Sequence, residues 1–421
     1  MQKTTANYFD VIVIGGGPAG MMAAGMSTRQ GARTLLLEKM ERPCRKLMIT
    51  GKGRCNLTNI VAISEFLKHT GPDSRFLRYS FSEFFSEDLI RFFKENGVET
   101  ITERGGRVFP ASEKAVDIVD GLIRWVKKSG VQITTGKKAA ELIIHDQKIK
   151  GVILSDGEEY HCGSVIVCTG GKSYPATGST GDGYLLAQQA GHHVISPRQA
   201  LVPVETAGNQ AQQLQGLSLK NVQVNVWVDG KKKGEAFGEM LFTHFGLTGP
   251  IILTLSRQFN DDILSLKKVI FSIDFKPALD DKKLDLRLLR DFAEHGKMQF
   301  SSLAKLLLPQ KIVPLFCEQL KIHPDKLGNQ LNAEERKRIR LLLKNFPFEV
   351  TGLRSYNEAV ITAGGVDTKE VNPVTMESKM VSGLFFAGEV LNLDADTGGY
   401  NLQIAFSTGW VAGKSSYRIK I

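Results

Sequence analysis

Phe9-Asp-Val-Ile-Val-Ile-Gly-Gly-Gly-Pro-Ala-Gly20 is the stretch on which the fold turns. The apolar run Phe9–Ile14 predicts a buried parallel strand. Pro18–Gln30, rich in Ala and Met, predicts a helix, and Arg33–Glu38 predicts a second strand, which together make a βαβ unit. Gly15, Gly17 and Gly20 stand at the spacing that such a unit uses to cradle a dinucleotide. The first glycine allows a tight turn, the second lets backbone approach a pyrophosphate, and the third lets helix and strand pack closely. The helix start offers free N–H groups and a partial positive charge to the phosphates. Glu38 closes the second strand, where its carboxylate can accept from ribose hydroxyls.

The other end of the chain carries a second motif. Gly383-Leu-Phe-Phe-Ala-Gly-Glu389 is followed by Thr397-Gly-Gly-Tyr-Asn-Leu-Gln403. Leu384–Phe386 predicts a buried strand, after which Ala387-Gly-Glu389 can bring backbone close to a ribityl chain. Gly399–Gln403 predicts the start of a last helix, with its positive end toward a flavin pyrimidine ring. A nicotinamide-only enzyme has no need of this segment. The cofactor expected is FAD, held by both chain ends. A second fingerprint for stably bound NAD(P) is absent, which leaves NAD(P)H, visiting transiently, or another reductant as the electron donor.

Three further strips carry chemistry. Gly51-Lys-Gly-Arg-Cys-Asn-Leu-Thr-Asn59 places Lys52 and Arg54, with Lys46 just upstream, in one loop able to wrap a pyrophosphate or flavin edge. Cys55 has two readings: a thiol of lowered pKa beside Arg54, or a small buried residue in a tight loop. Thr169-Gly-Gly-Lys-Ser-Tyr-Pro175 leads into Gly178-Ser-Thr-Gly-Asp-Gly183, and Tyr174 is a candidate substrate contact. Phe242-Thr-His-Phe-Gly-Leu-Thr-Gly-Pro250 offers His244 as an acid or donor, or as a structural histidine.

Between these strips the pattern changes. Glu83–Asn96 and Val116–Ser129 predict amphipathic helices, and Ala139–Ile144 with Lys150–Leu154 a strand pair. Val165–Cys168 predicts a short buried strand. After Pro197 the signal becomes antiparallel. Val222–Val228 alternates strictly, Asp229-Gly230 supplies a turn, and Val269–Phe275 is a second strand. From Leu284 to Asn345 the pattern is helical, with Asn332 and Glu335 at capping-box spacing. The expected class is α/β. A Rossmann-like, two-dinucleotide-type FAD-binding domain (1–196 and 356–421) is interrupted by a β-barrel-like domain (197–275 and 346–355). That insertion carries a small helical domain (276–345).

Composition sets the outer limits. In 421 residues no apolar run reaches a membrane span, and 42% hydrophobic residues can supply ordinary cores. No charged and apolar leader precedes Phe9, so no signal peptide is expected. The five cysteines (Cys44, Cys55, Cys162, Cys168 and Cys317) form no close pair. That argues against a disulfide scaffold or zinc site and for a reducing cytoplasm. The formal net charge is +10, of which residues 196 to 353 hold +6 (23 Lys and Arg less 17 Asp and Glu). Arg336, Lys337, Arg338, Arg340 and Lys344 share one short predicted helix. That is either a solvated face or an RNA-backbone site.

Taken together, these strips resemble the HI0933-like family of FAD-binding proteins, also labelled the aminoacetone oxidase family, across essentially the whole chain. The middle strips are more specific than the glycine fingerprint. The resemblance implies a three-part architecture and a set of residues near FAD. In the N-terminal half these are Gly15, Gly17, Ala19, Gly20, Glu38 and Lys39, then Lys46, Gly53, Arg54 and Asn56. Thr169, Gly170 and Gly171 follow, and Gly388, Glu389, Asn401 and Leu402 complete the set. Some members resemble oxidases of small aminoketones. Another type is linked to reducing a uridine of large-subunit ribosomal RNA to dihydrouridine.

Three functions follow from these readings. The first, which the basic insertion favours, is flavin-mediated reduction of a uridine in 23S rRNA, with Cys55 and His244 as candidate acids. The second is oxidation of a small amine such as aminoacetone by oxygen. The third is a non-catalytic FAD-bound interaction protein, against which the flavin-contact motifs at both ends argue.

Overall fold

The computed structural model describes residues 8–71 and 73–417. The chain divides into two compact units, Met1–Gln199 with Ala359–Ile421, and Ala200–Glu358.

The first unit is built on a seven-stranded sheet. Strands β1 (Tyr8–Ile14), β2 (Thr34–Glu38), β3 (Gln132–Thr135), β4 (Ala139–His145), β5 (Lys148–Leu154) and β6 (Glu159–Val167) lie in the order β3-β2-β1-β6-β5-β4. The strand Leu384–Phe386 pairs parallel to β6, with Phe386 opposite Val167. β1 pairs parallel with both β2 and β6. Its interior residues are fully buried, as expected of an apolar run inside a parallel sheet.

Helix α1 (Pro18–Arg29) crosses from β1 to β2, and helix α2 (Tyr400–Ser415) lies against it. Small residues make that approach close. A Cβ added at Gly409 would overlap the carbonyl of Ala19, and one at Gly413 the carbonyl of Ala23. The Ser27 hydroxyl bonds the Gly413 carbonyl at 3.3 Å and Ser416 at 2.9 Å. An Ala at either glycine would cost about 1–3 kcal/mol through overpacking.

The helix expected over 83–96 is present as Ser86–Glu95, and a separate helix, Arg78–Glu83, precedes it. The chain bends at Phe84 and Phe85 because both rings find partners inside. Phe84 stacks on Trp410 at 4.4 Å, and Phe85 meets Phe66 edge-on at 5.2 Å. The short strand expected at 165–168 begins earlier, at Glu159.

In the second unit, β7 (Val204–Thr206), β8 (Ser218–Val228), β9 (Lys231–Phe242), β10 (Gly246–Thr248), β11 (Val269–Asp274) and β12 (Phe346–Leu353) close a barrel in the order β7-β10-β9-β8-β11-β12. Val204 opposite Leu353 completes the ring. β9 escaped the sequence reading because its outward positions carry Lys and Glu, which mask strand alternation. The helices between Asp281 and Lys344 bury Leu284, Leu288, Phe316, Ile339 and Leu343 in the same apolar cluster as barrel residues Phe271 and Phe346. Asn332 and Glu335 form the expected reciprocal cap of the last of these helices, Ala333–Lys344.

Candidate functional site

The glycine turn after β1 has a separate reason at each position. Gly15 has φ +100°, and a Cβ there would lie 2.6 Å from the Cys168 carbonyl oxygen. A Cβ at Gly20 would overlap the Gly15 carbonyl oxygen, so helix and strand pack without room for a side chain. At Gly17 a Cβ would meet nothing within 4 Å. No side chain caps α1, and its first turn holds no acidic residue. The turn therefore presents an open, partly positive face. Glu38 does more than await a ribose. Its Oε2 accepts from the Gly16 N–H at 2.7 Å and its Oε1 from Met40 N–H at 2.8 Å, which clamps the loop. Each carboxylate oxygen keeps capacity for a second donor.

The start of α2 is built in the same spirit. Gly399, at φ +98°, approaches the backbone of Thr58 so closely that a Cβ would lie 2.8 Å from the Thr58 Cα. The Asn56 amide spans the gap. Its oxygen accepts from Gly399 N–H at 3.1 Å, and its nitrogen donates to the carbonyls of Val108 and Thr58. Asn401 is engaged locally: its oxygen accepts from the Ala395 N–H, and its nitrogen donates to the carbonyls of Ala395 and Asp396. Leu402 is half-buried beside the core. No side chain caps α2 and no acid lies in its first turn. Gly388 joins the two ends. Its N–H donates to Thr408 Oγ1 at 2.9 Å, and a Cβ there would lie 2.7 Å from that of Ala19.

Glu389 is the centre of a polar network. Lys46 Nζ reaches its Oε2 at 2.7 Å, while Ser173 Oγ (3.1 Å) and Thr362 N–H (2.8 Å) donate to its Oε1. Lys46 also reaches Ser173 Oγ at 2.6 Å, and Thr362 Oγ1 accepts from the N–H groups of Lys172 and Ser173. A Cβ at Gly171 would overlap Thr362 Oγ1, and Gly170 sits at φ +72°. Ser173 and Thr362 were not picked out from the sequence. A hydroxyl has no local pattern, and the available signal was only their place in glycine-bearing strips. Nearby, Lys39 pairs with Asp182 at 2.6 Å. The Thr169 hydroxyl is buried with no hydrogen-bond partner among the described residues.

Of the two readings of Cys55, the small buried residue in a tight loop is the one the structure bears out. The reading of a lowered thiol pKa is corrected: Cys55 is fully buried, and burial pushes its thiol up to about 12, against the smaller opposing effect of a hydrogen bond from Thr50. Arg54, which was to have lowered it, is directed at Glu103 and Glu113 and lies over the Phe109 ring at 4.2 Å. Gly53, at φ +85°, faces open space. Tyr174 is half-buried at φ +52° at the head of the turn Pro175–Thr177. His244 lies in the second unit, exposed in the hairpin between β9 and β10, with its ring edge-on to Phe245 at 5.0 Å. The sequence reading also passed over His69. Its Nδ1 lies 3.0 Å from Asp396, and its ring stacks at 4.6 Å on Tyr400, the first residue of α2.

Three of the five cations of the basic helix are held in ion pairs. Arg336 pairs with Asp285 at 3.1 Å, Arg340 with Asp281 at 3.3 Å, and Lys344 with Asp274 at 2.5 Å. Of the five cations only Lys337 is exposed. No helix among the described residues is long and apolar enough to cross a membrane.

An open glycine turn that begins at Gly15 with φ +100°, two uncapped helix starts, a backbone-held carboxylate and an orphaned buried hydroxyl form a set of donors and acceptors that fits FAD. Comparison with known proteins agrees. The model of the HI0933-like protein Rossmann domain matches residues 9–415. The chain is 30% identical to the 3-dehydro-bile acid delta(4,6)-reductase of Clostridium scindens, covering 96% of this chain and 98% of that one. It is also 30% identical to the ribosomal RNA dihydrouridine synthase of Escherichia coli, covering 97% and 99%. Among solved structures, the 3-ketosteroid-delta4-(5alpha)-dehydrogenase of Rhodococcus jostii superposes with a TM-score of 0.52 at 15% identity, covering 99% of this chain and 98% of that one, a likeness of fold.

Proposed function

We propose, on the premise that this chain belongs to the HI0933-like family of FAD-dependent oxidoreductases, that it reduces a uridine of 23S ribosomal RNA to dihydrouridine. The observation that carries this reading is the end-to-end likeness to the ribosomal RNA dihydrouridine synthase of E. coli. The excess of basic residues supports it. On this reading the reaction belongs to the cytoplasm, where ribosomal RNA is found.

The net reaction adds two electrons and two protons across the C5=C6 bond of uracil, with NAD(P)H oxidised to NAD(P)+ as the proposed donor. FAD, when bound, supplies the two-electron chemistry at the ring. The chain's own residues bind and orient. Gly15, Gly17 and the start of α1 receive the pyrophosphate, and Glu38 accepts from the ribose while holding the loop. Thr169 gains a partner for its hydroxyl. The start of α2, framed by Asn56 and Gly399, would offer its partial positive charge to the flavin end of the cofactor. A protein acid delivers the proton to C5. His69, held by Asp396 beside the start of α2, is the group of the first unit proposed for this. Tyr174, also of the first unit, is the alternative, to be tested by substitution with Phe.

A second reading has an observation of its own. The bile-acid reductase is as similar as the synthase, which favours reduction of a polarised C=C bond in a small molecule by the same donor set. Nucleoside mass spectrometry of 23S rRNA, with and without the gene, decides between them. Loss of dihydrouridine, restored by the wild-type gene, supports the first reading. An unchanged level with the FAD-loaded protein present rejects it and turns the search to enones.

A further inference from the structure

The second unit holds an open cavity of about 610 Å³ that no step above uses. Its walls come from β8, β9, the turn after β11 and the helix Asp281–Glu294, through Asn221, Gln223, Phe237, Lys276, Leu279 and Arg287.

Phe237 lies across the β8–β9 ladder from Gln223 and is 61% exposed, a bare aromatic face on a strand otherwise dressed with Lys and Glu. Asn221 sits at φ +54°, where the same ladder shifts register between Leu219 and Val222. The opposite wall is cationic. Lys276 has no carboxylate partner among the described residues, and the nearest acid of its turn, Asp274, is already held by Lys344. Lys344 also donates to the carbonyls of Lys276 and Leu279, which fixes the turn that presents the ammonium. Burial, and then the like charge of Arg287, push the Lys276 pKa down. Arg287 reaches Asp291 through Nε at 3.4 Å. A partly desolvated ammonium under the like charge of a guanidinium, with no carboxylate partner of its own among the described residues, is an unfavourable arrangement that a bound anion relieves.

An exposed ring, side-chain amides and two cations within one cavity are the elements of a single-stranded nucleic-acid site. The ring stacks a base and the cations take the backbone. We propose that this cavity binds single-stranded RNA, with a base on Phe237 and phosphate between Lys276 and Arg287. The proposal rests on the RNA reading of the function and moves the contact from the helix Ala333–Lys344, whose cations are mostly paired inward, to the wall that this helix supports.

The test is fluorescence anisotropy of a labelled oligouridylate with the FAD-loaded full chain over a salt series. Phe237→Ala is expected to weaken binding about tenfold, as loss of one stacked base would, while Phe237→Tyr keeps wild-type affinity. Lys276→Gln with Arg287→Gln is expected to lower the log–log salt slope by about 1.4, two phosphates at the single-strand value. Melting curves of each variant guard against misfolding, and the Tyr variant keeps the test valid should Ala destabilise the strand. Binding by the Ala and double-Gln variants equal to wild type overturns the site. So does absence of oligouridylate binding by the wild type. In either case gene-dependent dihydrouridine in 23S rRNA would leave the functional reading standing, whereas its absence would remove both.

Discussion

Glu389 receives the Lys46 ammonium at 2.7 Å across 343 residues of sequence, and through Thr362 and Ser173 the same carboxylate holds two further segments in place. Both partners are about one-fifth exposed. Removing one leaves the other short of a counter-charge in a partly desolvated place. Glu389→Gln and Lys46→Met are each expected to lower stability by about 1–3 kcal/mol. The double variant should lose less than the sum. Denaturant unfolding of the four proteins measures the coupling, and flavin absorbance after desalting reports whether the network also retains FAD.

Gly17 and Gly20 should separate binding from folding. Gly17 has an ordinary helix-start φ of −78° and empty space where a Cβ would go. Gly17→Ala is expected to leave the melting temperature of the apoprotein unchanged and to weaken FAD binding by about tenfold or more. Gly20→Ala puts a methyl into the Gly15 carbonyl and should destabilise the apoprotein itself by about 1–3 kcal/mol or more. Equal effects of the two substitutions on apoprotein melting would refute this division.

The thiols set an alkaline limit. Burial raises Cys55 and Cys162 to about 12, and pushes Cys44 and Cys168 up as well, from an ordinary value of 9.0. The unfolded chain releases these protons first. The thiol contribution to stability is therefore complete below pH about 9 and falls as pH rises toward 12. Unfolding free energy should decline across that window. At neutral pH the described cysteines, all buried, should react with a thiol reagent only after denaturation. Rapid labelling of Cys55 in the native protein would contradict its placement.

The cations of the helix Ala333–Lys344 should behave as structural groups. Arg336→Gln and Arg340→Gln break pairs with Asp285 and Asp281 that are about one-quarter exposed on the Arg side. Each is expected to cost about 0.2–1 kcal/mol of stability, with RNA affinity within twofold of wild type. Denaturation and anisotropy, run on the same preparations, check both statements. A large fall in affinity without a fall in stability would return this helix to the RNA surface.

Local chemistry was enough to read much of this protein. The apolar run of β1, the glycines around α1, the Asn332–Glu335 cap and the strand-and-helix at Leu384–Gln403 depend on neighbours a few residues apart, so periodicity and backbone preference expose them. The tertiary structure alone decided what distant side chains do. It buried Cys55 and turned Arg54 to Glu103, where adjacency had suggested a charged thiol. It paired Arg336, Arg340 and Lys344 with aspartates of other elements, where composition had suggested a free basic face. It delayed the start of a helix past Phe84 and Phe85, gathered Ser173 and Thr362 on Glu389, and set Lys276 beside Phe237 in one cavity. Burial and charge pairing are sums over everything within a few ångströms, and most of those neighbours lie far away along the chain.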